Sequence, residues 1–139
     1  MKLSRGAMLI SLILFSTMFF SCSRFGPAPD PAEAAIAKQN AGDWKGAVEE
    51  WSKLITTDAT NARFFSGRGY AKKRAGDPQG AVGDYSEAIR LSPTKGDHYA
   101  GRGDAYIMLA DTTKGCEDLK KAQELGYEKA SELLDKYCK

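Results

Sequence analysis

The sequence predicts an all-α fold, a solenoid of three helix-turn-helix repeats closed by a C-terminal capping helix. The main observation is a period of 34 residues, which places Gly42-Asp43, Gly76-Asp77 and Ala110-Asp111 at equivalent positions. In addition, apolar residues recur at helical spacings of three and four, and no stretch alternates as a half-buried strand does. The 139 residues, 42% apolar and 27% charged, suffice for one ordinary globular domain.

Each repeat is predicted to hold two helices joined by a tight turn. In the second repeat, a helix from Arg63 to Ala75 ends at Gly76, and Asp77-Pro78 provides an N-cap and a first-turn proline for the next helix. In the first repeat, Asp30 is expected to cap a helix that has Glu33 in the capping-box position. The predicted repeats span about 30–61, 62–95 and 96–127, and the capping helix spans 128–138.

These repeats resemble the tetratricopeptide-repeat (TPR) family from Asp30 to Tyr127. The second repeat carries the fullest signature, consisting of Gly69, Ala71, Gly76-Asp77, Ala81, Tyr85, Ala88 and Pro93. Two departures are Ala59, where the family usually has proline, and Gly115, where it usually has alanine. The resemblance implies a TPR domain over residues 30–139, with a concave groove lined by the first helix of each repeat.

The resemblance also implies which residues line this partner-binding groove. They are Ile36, Gln39, Asn40, Arg63, Ser66, Tyr70, Lys73, Arg74, Asp104, Ile107 and Met108. Chaperone-binding members hold a carboxylate with Lys, Asn and Arg, whereas the corresponding positions here include Ile36, Ser66 and Asp104, so that clamp is absent. We therefore expect the partner to be an envelope protein or peptide, bound as a helix or as an extended segment.

Residues 1–21 have the layout of a signal peptide, in which two basic residues precede an uncharged run from Ala7 to Phe20. This run of 14 residues is shorter than the roughly 20 that a transmembrane helix needs. Phe19-Phe20-Ser21-Cys22 resembles the lipobox of bacterial lipoproteins, which implies that Cys22 is acylated and the preceding segment removed. Phe19 stands where leucine is usual, which leaves open ordinary signal cleavage or an uncleaved anchor.

Residues 22–29 are predicted to be a lipid anchor and a proline-rich tether that holds the domain away from the membrane. Ser23 resembles the residue that directs many Gram-negative lipoproteins to the outer membrane. The expected location is therefore the bacterial cell envelope, on the outer membrane and facing the periplasm.

Composition and motifs argue against several function classes. Of the 20 basic residues, Lys2 and Arg5 precede residue 22, so a processed chain would carry 18 basic and 18 acidic residues and attract no nucleic acid. The sequence has no paired carboxylates and no Ser-His or Cys-His set, so we expect no enzyme, cofactor or small-molecule substrate. His98 has no neighbouring metal ligand and is read as a surface histidine.

Two glycine-rich tripeptides, Gly67-Arg68-Gly69 and Gly101-Arg102-Gly103, resemble parts of phosphate-binding loops. Such loops lie between a strand and a helix N-terminus, whereas both tripeptides lie at equivalent positions inside predicted first helices. We therefore assign their glycines to helix packing.

Cys116 and Cys138 are predicted to meet across the last helix pair. If those helices are antiparallel and joined at Gly126-Tyr127, both cysteines lie about 15 to 17 Å from the turn. An oxidising envelope would favour a disulfide. Two buried free thiols are the alternative.

Together these patterns favour a lipid-anchored interaction module without enzymatic activity. A small accessory subunit of a larger envelope complex is the alternative, and an envelope enzyme has no residue set to support it.

Overall fold

A computed structural model describes residues 28–139, so the predicted signal peptide 1–21, the predicted acylation site Cys22 and most of the predicted tether 22–29 lie outside it. The compact unit Pro31–Lys139 contains seven α-helices and no strand. They are α1 (Glu33–Asn40), α2 (Trp44–Thr57), α3 (Ala62–Arg74), α4 (Pro78–Leu91), α5 (Gly96–Met108), α6 (Thr112–Glu124) and α7 (Ala130–Tyr137). Two helices fall within each predicted repeat, and the all-α fold is as predicted.

The turn inside each helix pair repeats the same geometry because the same residue types recur. Asp43, Asp77 and Asp111 each cap the second helix, with Oδ1 accepting a backbone N–H three residues later at 2.9, 2.8 and 3.2 Å. The residue before each aspartate is left-handed, with φ of +75° at Gly42, +87° at Gly76 and +62° at Ala110. Glycine adopts this conformation freely, whereas alanine at 110 adopts it at a cost in free energy.

The start of α1 differs from the prediction. Its N-cap residue is Ala32, which makes no side-chain capping hydrogen bond, and the helix begins at Glu33. The N-cap position therefore lies two residues after the predicted one, Asp30. Pro31 and Ala32 form a turn, and the Ile36 N–H donates to the Ala32 carbonyl at 2.9 Å, which starts the helix there.

Aromatic rings of the second helices pack over glycines of the next repeat. A Cβ atom added at Gly67 would lie 2.6 Å from Trp51 Cε2, and one added at Gly101 would lie 2.3 Å from Tyr85 Cζ. Side chains at these glycines would thus displace the rings. The contacts confirm that the two glycine-rich tripeptides serve helix packing.

Three apolar clusters follow one another along the solenoid. The first centres on Trp51 and Phe64, the second on Tyr85, and the third on Leu119. Leu133 and Leu134 of α7 pack against the third cluster, so α7 covers the last repeat as a capping helix does.

The predicted disulfide is present and ties α6 to the end of α7. The Cα atoms of Cys116 and Cys138 lie 5.7 Å apart, within the range that a disulfide spans without strain. Closing a loop of this size contributes about 3 kcal/mol in the chain-entropy account. The bond therefore fixes the capping helix over the last cluster.

Within residues 28–139, no helix combines the length and the apolar character needed to span a bilayer.

Candidate functional site

The first helices of the three repeats, together with Trp51 and Tyr85, line an open cavity of about 330 Å³. Five predicted groove residues border it, namely Ile36, Gln39, Arg63, Ser66 and Tyr70. Gly67, Asp97 and His98 complete its lining. The cavity is thus the part of the predicted groove that the structure brings together.

Lys73 and Asp104 form an ion pair that joins α3 to α5 beside this cavity. Only 12% of the Lys73 side chain is exposed, and its Nζ lies 5.6 Å from the centroid of the Tyr70 ring. The predicted groove residue Lys73 is therefore balanced by a carboxylate and contributes to the packing of two repeats.

Tyr70 is supported from the side by Trp44 and Arg74. The Trp44 and Tyr70 rings meet edge to face with centroids 5.9 Å apart, and the Arg74 guanidinium lies 4.6 Å from the Trp44 centroid. Arg74 Nη1 also donates to Tyr70 Oη at 3.3 Å. Sequence reasoning did not single out Trp44, which begins α2 and has no aromatic equivalent in the other two repeats.

The other predicted groove residues lie apart from the cavity lining. Asn40 and Met108 are exposed, with Met108 52% accessible. Ile107 packs against the third apolar cluster, and a Cβ atom added at Gly115 would lie 2.6 Å from its Cγ1. Ile107 therefore contacts α6, the partner helix of its own repeat.

His98 is buried, so its prediction as a surface residue is wrong. It is 5% exposed, and its Nδ1 has no hydrogen-bond partner among residues 28–139. The repeat period gives the signal that was missed, because His98 is 34 residues after Phe64, a core residue whose ring lies 6.2 Å from that of Trp51. A core position thus carries an imidazole at the edge of the cavity.

A repeated Arg-Asp-Ser triad holds the helices behind the cavity. Arg68 binds Asp84 through Nε and Nη2 at 2.9 and 2.7 Å and donates from Nη1 to Ser52 Oγ of the preceding repeat at 3.2 Å. The same three bonds recur one repeat later. Arg102 binds Asp118 through Nε and Nη2 at 2.7 and 2.8 Å and donates from Nη1 to Ser86 Oγ at 3.2 Å. Each arginine therefore links the two helices of its repeat to the repeat before.

The second triad also shifts the pKa of its arginine. Hydrogen bonding to Asp118 raises the pKa of the Arg102 guanidinium, which keeps it charged. Sequence reasoning missed both triads, although Arg, Asp and Ser each recur in them with the 34-residue period.

The cavity lining is mixed in polarity and includes the hydroxyl of Tyr85. Burial raises the pKa of the Tyr85 hydroxyl, so this group stays protonated. No group of three or more His, Cys, Asp or Glu side chains suited to a metal ion occurs in the described part of the chain. The cavity combines an apolar wall at Ile36 with aromatic, amide, hydroxyl and charged side chains.

Comparison with known proteins identifies the fold. No protein-family model and no curated protein matches the chain. Among solved structures, the first TPR domain of human RPAP3 matches with a TM-score of 0.74 and 22% identity over 77% of this chain and 86% of that one. The TPR domain of Arabidopsis OM64 matches with a TM-score of 0.72 and 23% identity over 76% of this chain and 88% of that one.

A third similar structure is the Yersinia enterocolitica type III secretion chaperone SycD in complex with a peptide of the translocator YopD. It matches with a TM-score of 0.69 and 19% identity over 77% of this chain and 83% of that one. The described chain therefore has the TPR fold.

Proposed function

We propose that this protein is a lipid-anchored TPR interaction module of the bacterial cell envelope, which binds a peptide or helix of a partner protein in its concave groove. The observation that carries the proposal is the open cavity on the first helices, where five predicted groove residues meet. The similar structures include SycD with a peptide of YopD and a TPR domain of RPAP3 with the HSP90 peptide SRMEEVD, which supports a peptide ligand here.

Binding fits this cavity better than catalysis. Two ionisable side chains in and around it serve the structure, since Lys73 pairs with Asp104 and the buried Tyr85 keeps its proton. The groove around Tyr70 offers instead the mixed apolar and polar lining that is typical of ligand sites.

The groove proposal is tested by Tyr70→Ala. Tyr70 is 38% exposed and borders the cavity, so its removal takes away contact surface for a partner while most of the core remains. We expect the affinity for a partner retrieved from membranes to fall about tenfold or more, as for an aromatic hot spot. Binding is measured by titration with the purified partner.

The anchor proposal rests on the lipobox-like sequence that ends at Cys22 and is tested by Cys22→Ser. The acyl chains of a lipoprotein hold it on a membrane because several chains bind far more stably than one. We expect the variant to lack the acyl mass and to keep its signal segment, whereas the native chain is cut before Cys22. Mass spectrometry of the membrane fraction measures both.

A native chain without acyl mass that begins at another residue would contradict the anchor and indicate plain secretion. Cys116→Ser is the matched control, because it also replaces a cysteine with serine, here breaking the disulfide to Cys138, but lies outside the lipobox and should leave processing unchanged.

A further inference from the structure

Helix α7 continues the repeat in register but ends after eight residues. The first helices α3 and α5 begin at Ala62 and Gly96 and run for 13 residues each, and α7 begins one period later, at Ala130. A helix of eight residues is too short to be stable alone in water. The structure of α7 therefore depends on its links to α6, and these links decide whether the third apolar cluster stays covered.

The polar link of the inner junctions is missing between α6 and α7. The arginine of each inner junction donates to a serine of the repeat before, as Arg102 does to Ser86. One period later, Lys136 takes the arginine position and Lys120 takes the serine position. Two ammonium groups only donate hydrogen bonds and repel each other, so this pair cannot join the helices. Within residues 28–139, no ion pair joins α7 to another helix.

Besides apolar packing, α7 is held at its two ends. Near the turn, Gln123 Nε2 donates to Ser131 Oγ at 2.9 Å, and both of these side chains are exposed. At the far end, the disulfide joins Cys116 of α6 to Cys138, which directly follows the last residue of α7. The two leucines between these links are only half-buried. The disulfide therefore fastens the far end of α7.

The disulfide lies beside a second open cavity of about 330 Å³. Cys116 and Cys138 are both half-buried, and both border this cavity. Exchange with a thiol requires a thiolate to reach one of the two sulfur atoms, so a disulfide enclosed in a core is protected from it. The position beside an open cavity instead places this bond within reach of an external thiol.

We propose that the Cys116–Cys138 bond is a thiol–disulfide exchange site, and that its reduction by a protein dithiol releases α7 from the last repeat. Cys138 is the target because it lies beyond the last residue of α7, whereas Cys116 is held inside α6. One thiolate of the dithiol attacks the Cys138 sulfur, the disulfide breaks, and its electron pair leaves on Cys116, which takes up a proton. The second thiolate then attacks its partner sulfur in the mixed disulfide and frees Cys138 as a thiol. The dithiol is oxidised to a disulfide, and its two electrons and two protons reside on the two cysteines.

The release of α7 has a local effect. Leu119 is fully buried in the third apolar cluster, to which α7 contributes, so it gains exposure when α7 leaves. The clusters around Trp51 and Tyr85 contain no residue of α7. The first two repeats should therefore keep their structure in the reduced protein.

The first test measures reduction of the folded chain in detergent by reduced thioredoxin, a protein dithiol, in molar excess. Free thiols are alkylated, and the peptides that contain Cys116 and Cys138 are analysed by mass spectrometry. We expect more than half of the molecules to carry an alkyl group on both cysteines without denaturant. If half or fewer are reduced, the bond is a protected structural disulfide and the inference is wrong.

The second test compares hydrogen exchange of the backbone amides in the oxidised and reduced proteins. We expect the amides of α7 to exchange about tenfold faster or more after reduction, while those of α1 to α4 keep their rates. Cys138→Ser, which cannot form the bond, should exchange as the reduced protein does. Equal exchange of α7 in both states would overturn the inference. Faster exchange in α1 to α4 as well would also overturn it, because the bond would then support the whole fold.

Gln123→Ala is the matched control, because it removes the hydrogen bond between α6 and α7 and leaves the disulfide intact. In the oxidised state, this variant should keep the slow exchange of the native α7. If Gln123→Ala alone released α7, the hydrogen bond and not the disulfide would hold the helix, and the inference would fail.

Discussion

Replacing Tyr85 with alanine is expected to lower the free energy of unfolding by about 3 to 5 kcal/mol, the usual cost of deleting a buried aromatic side chain. Tyr85 is 5% exposed and belongs to the second apolar cluster, between the clusters of the first and last repeats. Its ring also fills the space over Gly101 of the next repeat. The substitution thus opens a cavity at the junction of two repeats. Urea unfolding followed by circular dichroism measures the change.

Tyr70→Ala is the matched control for this prediction, because it removes the same side chain from the exposed groove. The substitution removes mainly the edge contact between the rings of Tyr70 and Trp44. We therefore expect the free energy of unfolding to fall by about 1 kcal/mol. If Tyr70→Ala proved the more destabilising of the two, the assignment of one tyrosine to the groove and the other to the core would be wrong.

Asp84→Asn is expected to lower the free energy of unfolding by about 3 kcal/mol, at the lower end of the cost of breaking a buried ion pair. The Asp84 side chain is 7% exposed and binds Arg68 and Lys72, which are 21% and 24% exposed. Asparagine keeps the shape but leaves two cations without their carboxylate. The partial exposure of these cations places the cost at the lower end.

Glu87→Gln provides the control on the same helix. Glu87 pairs with Arg90 three residues later, and 35% and 65% of the two side chains are exposed. Exposed pairs of this kind contribute little because water and salt screen the two charges, so the variant should unfold close to the native protein. Equal losses for Asp84→Asn and Glu87→Gln would show that the buried triad has no special role in stability.

The period of 34 residues made most of the fold predictable. Gly42 and Gly76 mark the left-handed turns, Asp43 and Asp77 mark the caps, and the spacing of Cys116 and Cys138 about Gly126-Tyr127 predicted that the cysteines meet. These features depend on local geometry and on helix length, which a sequence expresses directly.

The environment of individual side chains was harder to predict, because it depends on neighbours from another repeat. His98 was expected at the surface, but its position is equivalent to that of Phe64, and it is buried. Ala37 is exposed although its equivalents Ala71 and Ala105 are buried against the repeat before, because no helix of the unit precedes α1. Ile107 belongs to the predicted groove by position, yet its side chain packs against the third apolar cluster.

The central claim, that the concave cavity is where a partner binds, is tested most directly by comparing Tyr70→Ala with Arg90→Ala. Arg90 lies on α4 and is exposed, and α4 contributes only the buried Tyr85 to the cavity. Titration of the purified partner against both variants should give an affinity about tenfold weaker for Tyr70→Ala and unchanged for Arg90→Ala. Native affinity for Tyr70→Ala together with loss of binding for Arg90→Ala would contradict the claim and place the partner on the second helices.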